Sequence, residues 1–192
     1  DGKEWMSRRA TLTVVWETVT ALTRMLAPLI PFTAEEVWGY LREMASLEES
    51  VHLSLWPEIS CPEERELTEK WERLDSLRDD IRRILEAKRN SGEIGHSLDA
   101  YIYLHTDDQD DEAFLRSHLD DLRRMNIVSS VFVEKKDGMS PCSDWPGLSI
   151  GAVKSPHEKC SRCWEYSPTV GKSENHPDLC SRCVRVVQEE GR

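Results

Sequence analysis

The sequence has 192 residues, of which 39% are hydrophobic and 32% are charged, a composition typical of a soluble globular protein with one or two domains. No apolar run is long enough for a membrane span and no signal peptide opens the chain, so we expect neither membrane insertion nor secretion. The net charge of −11 argues by itself against nucleic-acid binding, but the charge is uneven: −3 over residues 1–57, −9 over residues 58–153 and +1 over residues 154–192.

The first part of the chain has the apolar spacing of a helix. Its opening, Asp1-Gly2-Lys3-Glu4-Trp5, lacks an initiator methionine and leads straight into an amphipathic pattern, so we expect a piece of a longer chain. Pro28 and Pro31 end the pattern. Apolar residues recur at steps of three and four and predict one apolar stripe on this helix: Leu12, Val15, Val19, Leu22, Leu26 and Leu29.

A second helix is predicted directly after the prolines. Thr33 is the expected N-cap, Glu36 closes a capping box with it, and Phe32 can pack on Val37 as a hydrophobic staple. Both helices together predict a helical hairpin that packs into a bundle. The apolar face of the second helix is expected to contain Val37, Trp38, Leu41 and Met44.

Residues 48–64 are predicted to be a short linker. Apolar residues alternate over residues 51–57, which indicates an extended segment with Val51, Leu53 and Leu55 on its packed side. Cys61 in this linker and Cys142 further on are isolated from each other and from the remaining cysteines.

The middle of the chain predicts a small α/β unit that opens with a long helix. This helix runs from about Glu64 to Asn90, ends at Ser91-Gly92, and carries basic residues that we expect to be solvated and ion-paired. Strands interleaved with helices indicate the α/β class. The expected buried stripe of the long helix is Leu67, Trp71, Leu74, Ile81 and Ile84 or Leu85. The expected later elements are a strand at 100–105, a helix at 112–124, and strands at 127–134 and 148–154, with loops at 107–112 and 135–145.

Four cysteines near the C-terminus form two C-x-x-C pairs. Cys160 pairs with Cys163 and Cys180 with Cys183, and sixteen residues separate the pairs. Four thiolates at this spacing suit one tetrahedral zinc ion, because the spacer can form a hairpin that brings the pairs together. Four protein ligands leave no open position, so this metal would hold the fold and do no chemistry.

Other arrangements of these residues stay open. His157 or His176 could replace one cysteine as a ligand, and the cysteines could instead form disulfides. C-x-x-C pairs in an intracellular chain favour metal ligation.

Arg162 lies inside the first cysteine pair and Trp164 follows it directly, so a bound metal would hold both side chains in place. An unpaired base can stack on the indole while the guanidinium contacts its edge or a phosphate, and stacking contributes about 1–3 kcal/mol per base. Alternatively, Trp164 covers the zinc and Arg162 only neutralises the thiolates.

Several segments of the chain carry a family resemblance. Residues Met25–Trp38 look like the helix junction shared by the anticodon-binding domains of the aminoacyl-tRNA synthetases for isoleucine, valine, leucine and methionine. Ser50–Glu58 is similar to the segment that follows this junction in the isoleucine family. Leu85–Arg89 with Ile94–Ala100 looks like the junction region of that family. The two cysteine segments are similar to its terminal zinc finger, a type shared with some DNA-repair glycosylases. Over nearly its whole length the chain thus resembles the C-terminal part of bacterial-type isoleucyl-tRNA synthetases, which are class I aminoacyl-tRNA synthetases.

Residue patterns and resemblance together predict an α+β chain in three parts. Residues 1–57 would be the last helices of an anticodon-binding domain, residues 58–153 an α/β junction domain, and residues 154–192 a four-cysteine zinc finger of the ribbon or knuckle type. The earlier helices of the anticodon-binding domain should precede Asp1, so the apolar stripe of the first helix is expected to lack part of its partner surface.

The resemblance implies that the chain holds the anticodon stem-loop of tRNA(Ile), in the cytoplasm and as part of a monomeric enzyme. Arg162 and Trp164 match positions where the zinc module of the family meets anticodon bases, and the candidate phosphate contacts are Lys159, Lys172, Arg182 and Arg185. Missing N-terminal domains of the same enzyme would bind ATP and attach isoleucine. The adenylation signatures and the editing domain are not found here, so no catalytic centre is expected in this chain.

Two other functions remain open at this point. A DNA-binding or repair protein could use the same finger, although it would need a glycosylase nucleophile and a basic body. A zinc-stabilised protein-interaction module would have no nucleic-acid role.

Overall fold

The described part of the chain, residues 2, 5–58 and 64–190 of this computed structural model, contains six α-helices and one four-stranded sheet, which confirms the α+β class. Contacts divide the chain into one unit of residues 1–63 with 189–192 and a second unit of residues 64–188. Cys61 lies outside the described residues. The boundaries at residues 57 and 153 stay a prediction. Across the described ranges, no helix combines the length and apolar content of a membrane span.

The first unit contains the helical hairpin that the sequence predicts. Helix α1 spans Met6–Leu26 and helix α2 spans Pro31–Met44. Trp38 is fully buried between them, and its indole N–H donates to the carbonyl of Glu48 at 2.9 Å. The buried core of this unit is small: Ala27, Ala34, Trp38, Leu41 and Val51. Much of the apolar stripe of α1 is exposed here, including Leu12, Val15, Leu22 and Leu26.

The start of α2 differs from the prediction. The helix begins at Pro31 with Ile30 as its N-cap and without a side-chain cap, so Thr33 and Glu36 lie inside the helix and form no capping box. Proline at the first helical position needs no N–H partner and has a helical φ already, which explains the earlier start. The staple is also wrong, since Phe32 is 91% exposed.

The segment after α2 is not the extended segment that the sequence predicts. Val51–Leu53 form a turn of 3-10 helix, in which successive residues point about 120° apart, so alternate residues cannot share one side. Val51 is buried, but Leu53 and Leu55 are exposed. Met44, expected on the inner face of α2, is exposed as well.

The second unit is built on helix α3, Arg65–Asn90, and a mixed sheet. Leu74, Ile81 and Leu85 of α3 are buried as predicted, whereas Leu67 and Trp71 near its start are exposed. Several basic residues of α3 pair with acids of the same helix, for example Arg78 with Asp75 at 3.6 Å and Arg82 with Asp79 at 3.5 Å. Others pair with acids outside the helix, such as Lys88 with Glu93 at 2.7 Å. The predicted solvated, ion-paired face is therefore confirmed.

The sheet has the strand order β2-β1-β4-β3. Its strands are β1 (Ala100–Thr106), β2 (Ser130–Val133), β3 (Ser140–Pro141) and β4 (Leu148–Lys154). Strand β1 is parallel to β2 and antiparallel to β4, and β3 is antiparallel to β4. The short strand β3 lies in a segment predicted as loop, and β2 is shorter than predicted.

Two helices, α4 (Gln109–Ser117) and α5 (Leu119–Asn126), connect β1 to β2. The sequence predicts one helix at residues 112–124 and a loop before it. Asp108 caps α4 by accepting from the N–H of Asp111 at 2.9 Å, so the helix starts inside that segment. The break falls at His118, whose φ of −122° and ψ of 20° are not helical. These helices and α3 cover the sheet with one apolar core, which includes Leu77, Ile102, Leu104, Leu115, Leu122 and Ile150.

Candidate metal centre and nucleic-acid interface

The two C-x-x-C pairs close turns of the same kind. The backbone N–H of Trp164 donates to the carbonyl of Cys160 at 2.9 Å, and that of Val184 donates to the carbonyl of Cys180 at 3.0 Å. Beyond the second pair the chain runs on as helix α6, Ser181–Glu190. Beyond the first pair it turns away, because Trp164 has a left-handed backbone with a φ of 67°. Helix α6 was not predicted from the sequence.

The spacer between the pairs folds back as expected. Gly171, at a φ of 83°, supplies the left-handed turn residue, and its N–H donates to the carbonyl of Pro177 at 2.8 Å. The N–H of Ser161 donates to the carbonyl of Asp178 at 3.0 Å, which ties the first pair to the chain just before the second. Apolar side chains pack against the cluster: Val170, Leu179, Val184 and Val187.

The four sulfur atoms form a group that fits one zinc ion. The Sγ atoms of Cys160, Cys163, Cys180 and Cys183 all lie within 4.8 Å of one another. Tetrahedral zinc with Zn–S bonds of about 2.3 Å requires sulfurs about 3.8 Å apart. The Sγ atoms of Cys163 and Cys180 are 3.7 Å apart, which matches zinc and is far longer than a disulfide bond. These cysteines are free thiols.

The protonation of the thiols also favours a cation at their centre. Burial opposes ionisation of Cys160, but N–H groups of Cys163, Cys180 and Arg162 donate to its sulfur and bring its pKa down to about 7. Burial raises the pKa of Cys163 and of Cys183. A bound divalent ion removes this penalty because it ionises its thiol ligands outright.

Histidine is absent from this group within the described residues. His157 packs on the ring of Tyr101 instead, with ring centroids 5.9 Å apart. The N–H of His176 donates to Ser173 Oγ at 3.3 Å in the spacer. The geometry therefore favours the four cysteines over a mixed site.

Trp164 presents its indole to solvent beside the ammonium of Lys159. Its side chain is 58% exposed, so it does not seal the sulfurs. The ammonium of Lys159 lies 5.3 Å from the centre of the ring, within cation–π range. Arg162 Nη1 lies 3.9 Å from Cys183 Sγ, which puts the guanidinium between the thiols and the surface. Such an arrangement can stack an unsaturated ring and hold a negative charge next to it.

The other predicted basic residues lie in two different places. Lys172 and Arg185 line one groove of about 410 Å³ with Thr169, Ser173 and Ser181. Arg182 points elsewhere, and its Nη2 lies 3.4 Å from Glu165 Oε1. The six candidate residues are therefore not one continuous patch.

Sequence reasoning missed the acidic residue next to the indole. Glu165 accepts from Arg123 Nη1 of α5 at 2.6 Å, and its side chain is only 21% exposed. The two residues are 42 positions apart, and a lone glutamate beside a tryptophan gives no periodic signal. Their opposite charges were the only hint in the sequence.

Comparisons with known proteins agree with this geometry. The family described as "Anticodon-binding domain of tRNA ligase" matches residues 1–104, and the one described as "Zinc finger found in FPG and IleRS" matches residues 158–186. The second match covers both cysteine pairs, so the predicted structural zinc cofactor is confirmed.

Curated relatives are named isoleucine–tRNA ligase. The proteins from Moorella thermoacetica and Staphylococcus carnosus are 38% and 39% identical over 95% of this chain, and the one from Geobacillus thermodenitrificans is 38% identical over 98% of it. The chain spans about a fifth of these relatives, or 20%, 19% and 21% of their lengths. The resemblance seen in the sequence is thereby confirmed: the chain belongs to the anticodon-binding domain family of tRNA ligases.

Proposed function

We propose that this chain is the tRNA-binding region of an isoleucine–tRNA ligase and that it holds the anticodon stem-loop of tRNA(Ile). The rest of such an enzyme, which would use ATP to attach isoleucine, lies in domains outside this chain. The role of the chain is to bind and orient the tRNA, and the role of its zinc is to keep the binding surface rigid.

The exposed indole of Trp164 carries this proposal. The backbone that carries this indole directly follows a metal ligand and adopts a left-handed conformation. Non-glycine residues rarely adopt that conformation, and where they do the position often has a function. A stacking platform that is already ordered loses little entropy when a base binds. Lys159 and Arg162 would contact the edge of the stacked base or its phosphate.

The groove at Lys172 and Arg185 supports a second kind of contact. Two cations from different elements and three hydroxyl groups meet in one concave surface, which suits the sugar–phosphate backbone. Arg182 stays in the proposed set, with its guanidinium already paired with Glu165. We propose that the platform reads bases and that the groove neutralises phosphates.

The deciding experiment measures the affinity of the zinc-loaded chain for a labelled tRNA(Ile) anticodon stem-loop by fluorescence anisotropy. Trp164→Ala should weaken binding by about 1–3 kcal/mol, or about 5- to 150-fold, and should keep one zinc per chain. Trp71→Ala is the matched control, because Trp71 is also exposed and has the Lys70 ammonium 5.1 Å from its ring, but lies outside the finger. Lys172→Gln should reduce the slope of log K against log salt concentration by about 0.7. It should weaken binding to stem-loops with any anticodon by the same factor.

The same titrations separate the other two functions. A DNA-repair finger would bind a DNA duplex at least as tightly as the stem-loop, and a protein-interaction module would bind neither. Equal, weak binding to the cognate stem-loop, a stem-loop with another anticodon and a DNA duplex would refute the proposal. Loss of zinc in Trp164→Ala would instead identify the indole as a cover for the metal.

A further inference from the structure

We infer that Glu165 is a positioning residue that fixes the Trp164 indole relative to the α/β unit. This inference rests on the proposed function, since it explains how the platform is aimed and not what binds to it. Zinc holds the chain only as far as Cys163. The residues after Trp164 must hold the other end, or the indole could swing with the finger as a whole.

Glu165 bridges two separate elements through one carboxylate oxygen. Arg123 of α5 donates to Oε1 at 2.6 Å, and Arg182 of α6 lies 3.4 Å from the same atom. The side chains of Arg123 and Glu165 are 18% and 21% exposed. Charge pairs that are shielded to this degree are screened less by salt than surface pairs, so they hold the orientation of the two elements that they join more firmly.

Backbone contacts on either side of the bridge make it stiff. The carbonyl of Glu165 accepts from the N–H of Cys160 at 2.9 Å, which joins it to the first cysteine pair. The N–H of Tyr166 donates to Ser129 Oγ at 2.7 Å, and that hydroxyl donates to the carbonyl of Leu98 at 2.5 Å.

The phenol of Tyr101, on the central strand β1, adds a further contact. Its hydroxyl donates to the carbonyl of Tyr166 at 3.3 Å. The segment that follows the indole is thus fastened to the sheet as well as to the metal site.

Trp164 is therefore the single residue between two fixed points. Its left-handed φ is the conformation that lets the chain pass from the cysteine turn to the Glu165 bridge. Without the carboxylate, the backbone contacts of Tyr166 would remain but the Arg123 and Arg182 guanidinium groups would lose their shared partner. The finger would then take a wider range of angles about the Tyr166 contacts, and binding of the stacked base would have to narrow that range.

The test uses the full zinc-loaded chain with Glu165→Gln, Arg123→Met and the double variant. Each single change should weaken stem-loop binding about tenfold, and the double variant should lose clearly less than the product of the two single losses, because both changes remove the contact between Glu165 and Arg123. Glu174→Gln is the control, an exposed carboxylate of the same finger, and should bind as the parent does. Zinc content and far-UV circular dichroism should not change in any of them.

A second readout does not depend on RNA. With 5-fluorotryptophan in the chain, the 19F resonance of Trp164, assigned by its loss in Trp164→Phe, should shift or broaden in Glu165→Gln and Arg123→Met but not in Glu174→Gln. If Glu165→Gln lost zinc, Arg123→Met alone would decide, since it lies on α5 away from the cysteines.

An unchanged 19F resonance in both single variants overturns the inference, and so do additive losses in the double variant. Absence of stem-loop binding by the parent chain would refute the proposed function instead, and the 19F comparison would still decide the role of Glu165.

Discussion

Asp80 is a buried carboxylate of α3 that holds the loop after β3, and replacing it should destabilise the α/β unit. It is 5% exposed. Its Oδ2 accepts from Cys142 Sγ at 2.9 Å and from the N–H of Ser143 at 2.7 Å, and its Oδ1 accepts from Ser143 Oγ at 3.1 Å. Arg83 forms an ion pair with it from the solvent side.

The hydrogen bonds of Asp80 determine how much stability its replacement should cost. A hydrogen bond to a charged group contributes about 1.5–3 kcal/mol, whereas the exposed Arg83 adds little. Asparagine keeps one acceptor oxygen but turns an N–H₂ group toward buried donors, so Asp80→Asn should cost about one such bond, or about 2 kcal/mol. Asp79→Asn is the matched control. Asp79 is 76% exposed and only loosely paired, so its loss should cost under about 0.5 kcal/mol.

Amide hydrogen exchange of Ile102 and Leu104 measures the opening of this unit directly, because both residues are fully buried in strand β1. Asp80→Asn should lower their protection about 30-fold at pH 7, which corresponds to about 2 kcal/mol. Asp79→Asn should leave it unchanged within about twofold. Equal protection in the two variants would refute the assignment of Asp80 as an anchor of the loop.

The effect should also depend on pH. Burial opposes ionisation of Asp80, but hydrogen bonds from Cys142 and Ser143 outweigh it and lower the pKa below the ordinary 3.8. A lowered pKa in the folded state stabilises the protein above pH 3.8, and this contribution disappears as the pH falls through the folded-state value. The difference in the free energy of unfolding between the parent and Asp80→Asn should therefore become smaller as the pH falls below 3.8. Release of zinc by acid affects both proteins and cancels in the difference.

Two further outcomes are expected. Chelation of zinc should unfold about residues 155–187 and leave the helical part folded, since metal binding and folding are one event in small sites. Circular dichroism and tryptophan fluorescence would show this, and an unchanged fluorescence of Trp164 would contradict it. Ile127→Gly should stabilise the α/β unit by about 1 kcal/mol, because Ile127 is 61% exposed and ends α5 at a left-handed φ of 52° that glycine adopts without strain; a lower midpoint in urea would argue against that strain.

The sequence was sufficient wherever burial follows the period of a single element. The sequence predicts the bounds of β1 and β4 to within one residue, and Leu74, Ile81 and Leu85 of α3 are buried at the spacing of a helix, although Leu67 and Trp71 near its start are not. The zinc site was predictable for a different reason. Its four ligands are chemically distinctive and their spacing encodes the geometry.

Elements that depend on distant partners could not be predicted in this way. Strand β3 exists only through its pairing of Ser140 and Pro141 with β4, and two residues carry no period. The bridge between Glu165 and Arg123 joins residues 42 positions apart. Leu53 and Phe32 were assigned to packed faces because they are apolar, but they are 65% and 91% exposed.

The tetrapeptide Cys-Ser-Arg-Cys occurs at residues 160–163 and again at 180–183, and the same four residues lead to opposite exits. After the second copy Val184 stays right-handed and winds into a helix, whereas after the first Trp164 reverses hand and projects its ring. Local sequence inside the repeat cannot select between these routes, because it is identical. Substitution of the cysteines in either copy would report on metal affinity alone. The direction of the first exit is instead specified from outside the repeat, by the residues that receive the chain on the surface of the neighbouring sheet.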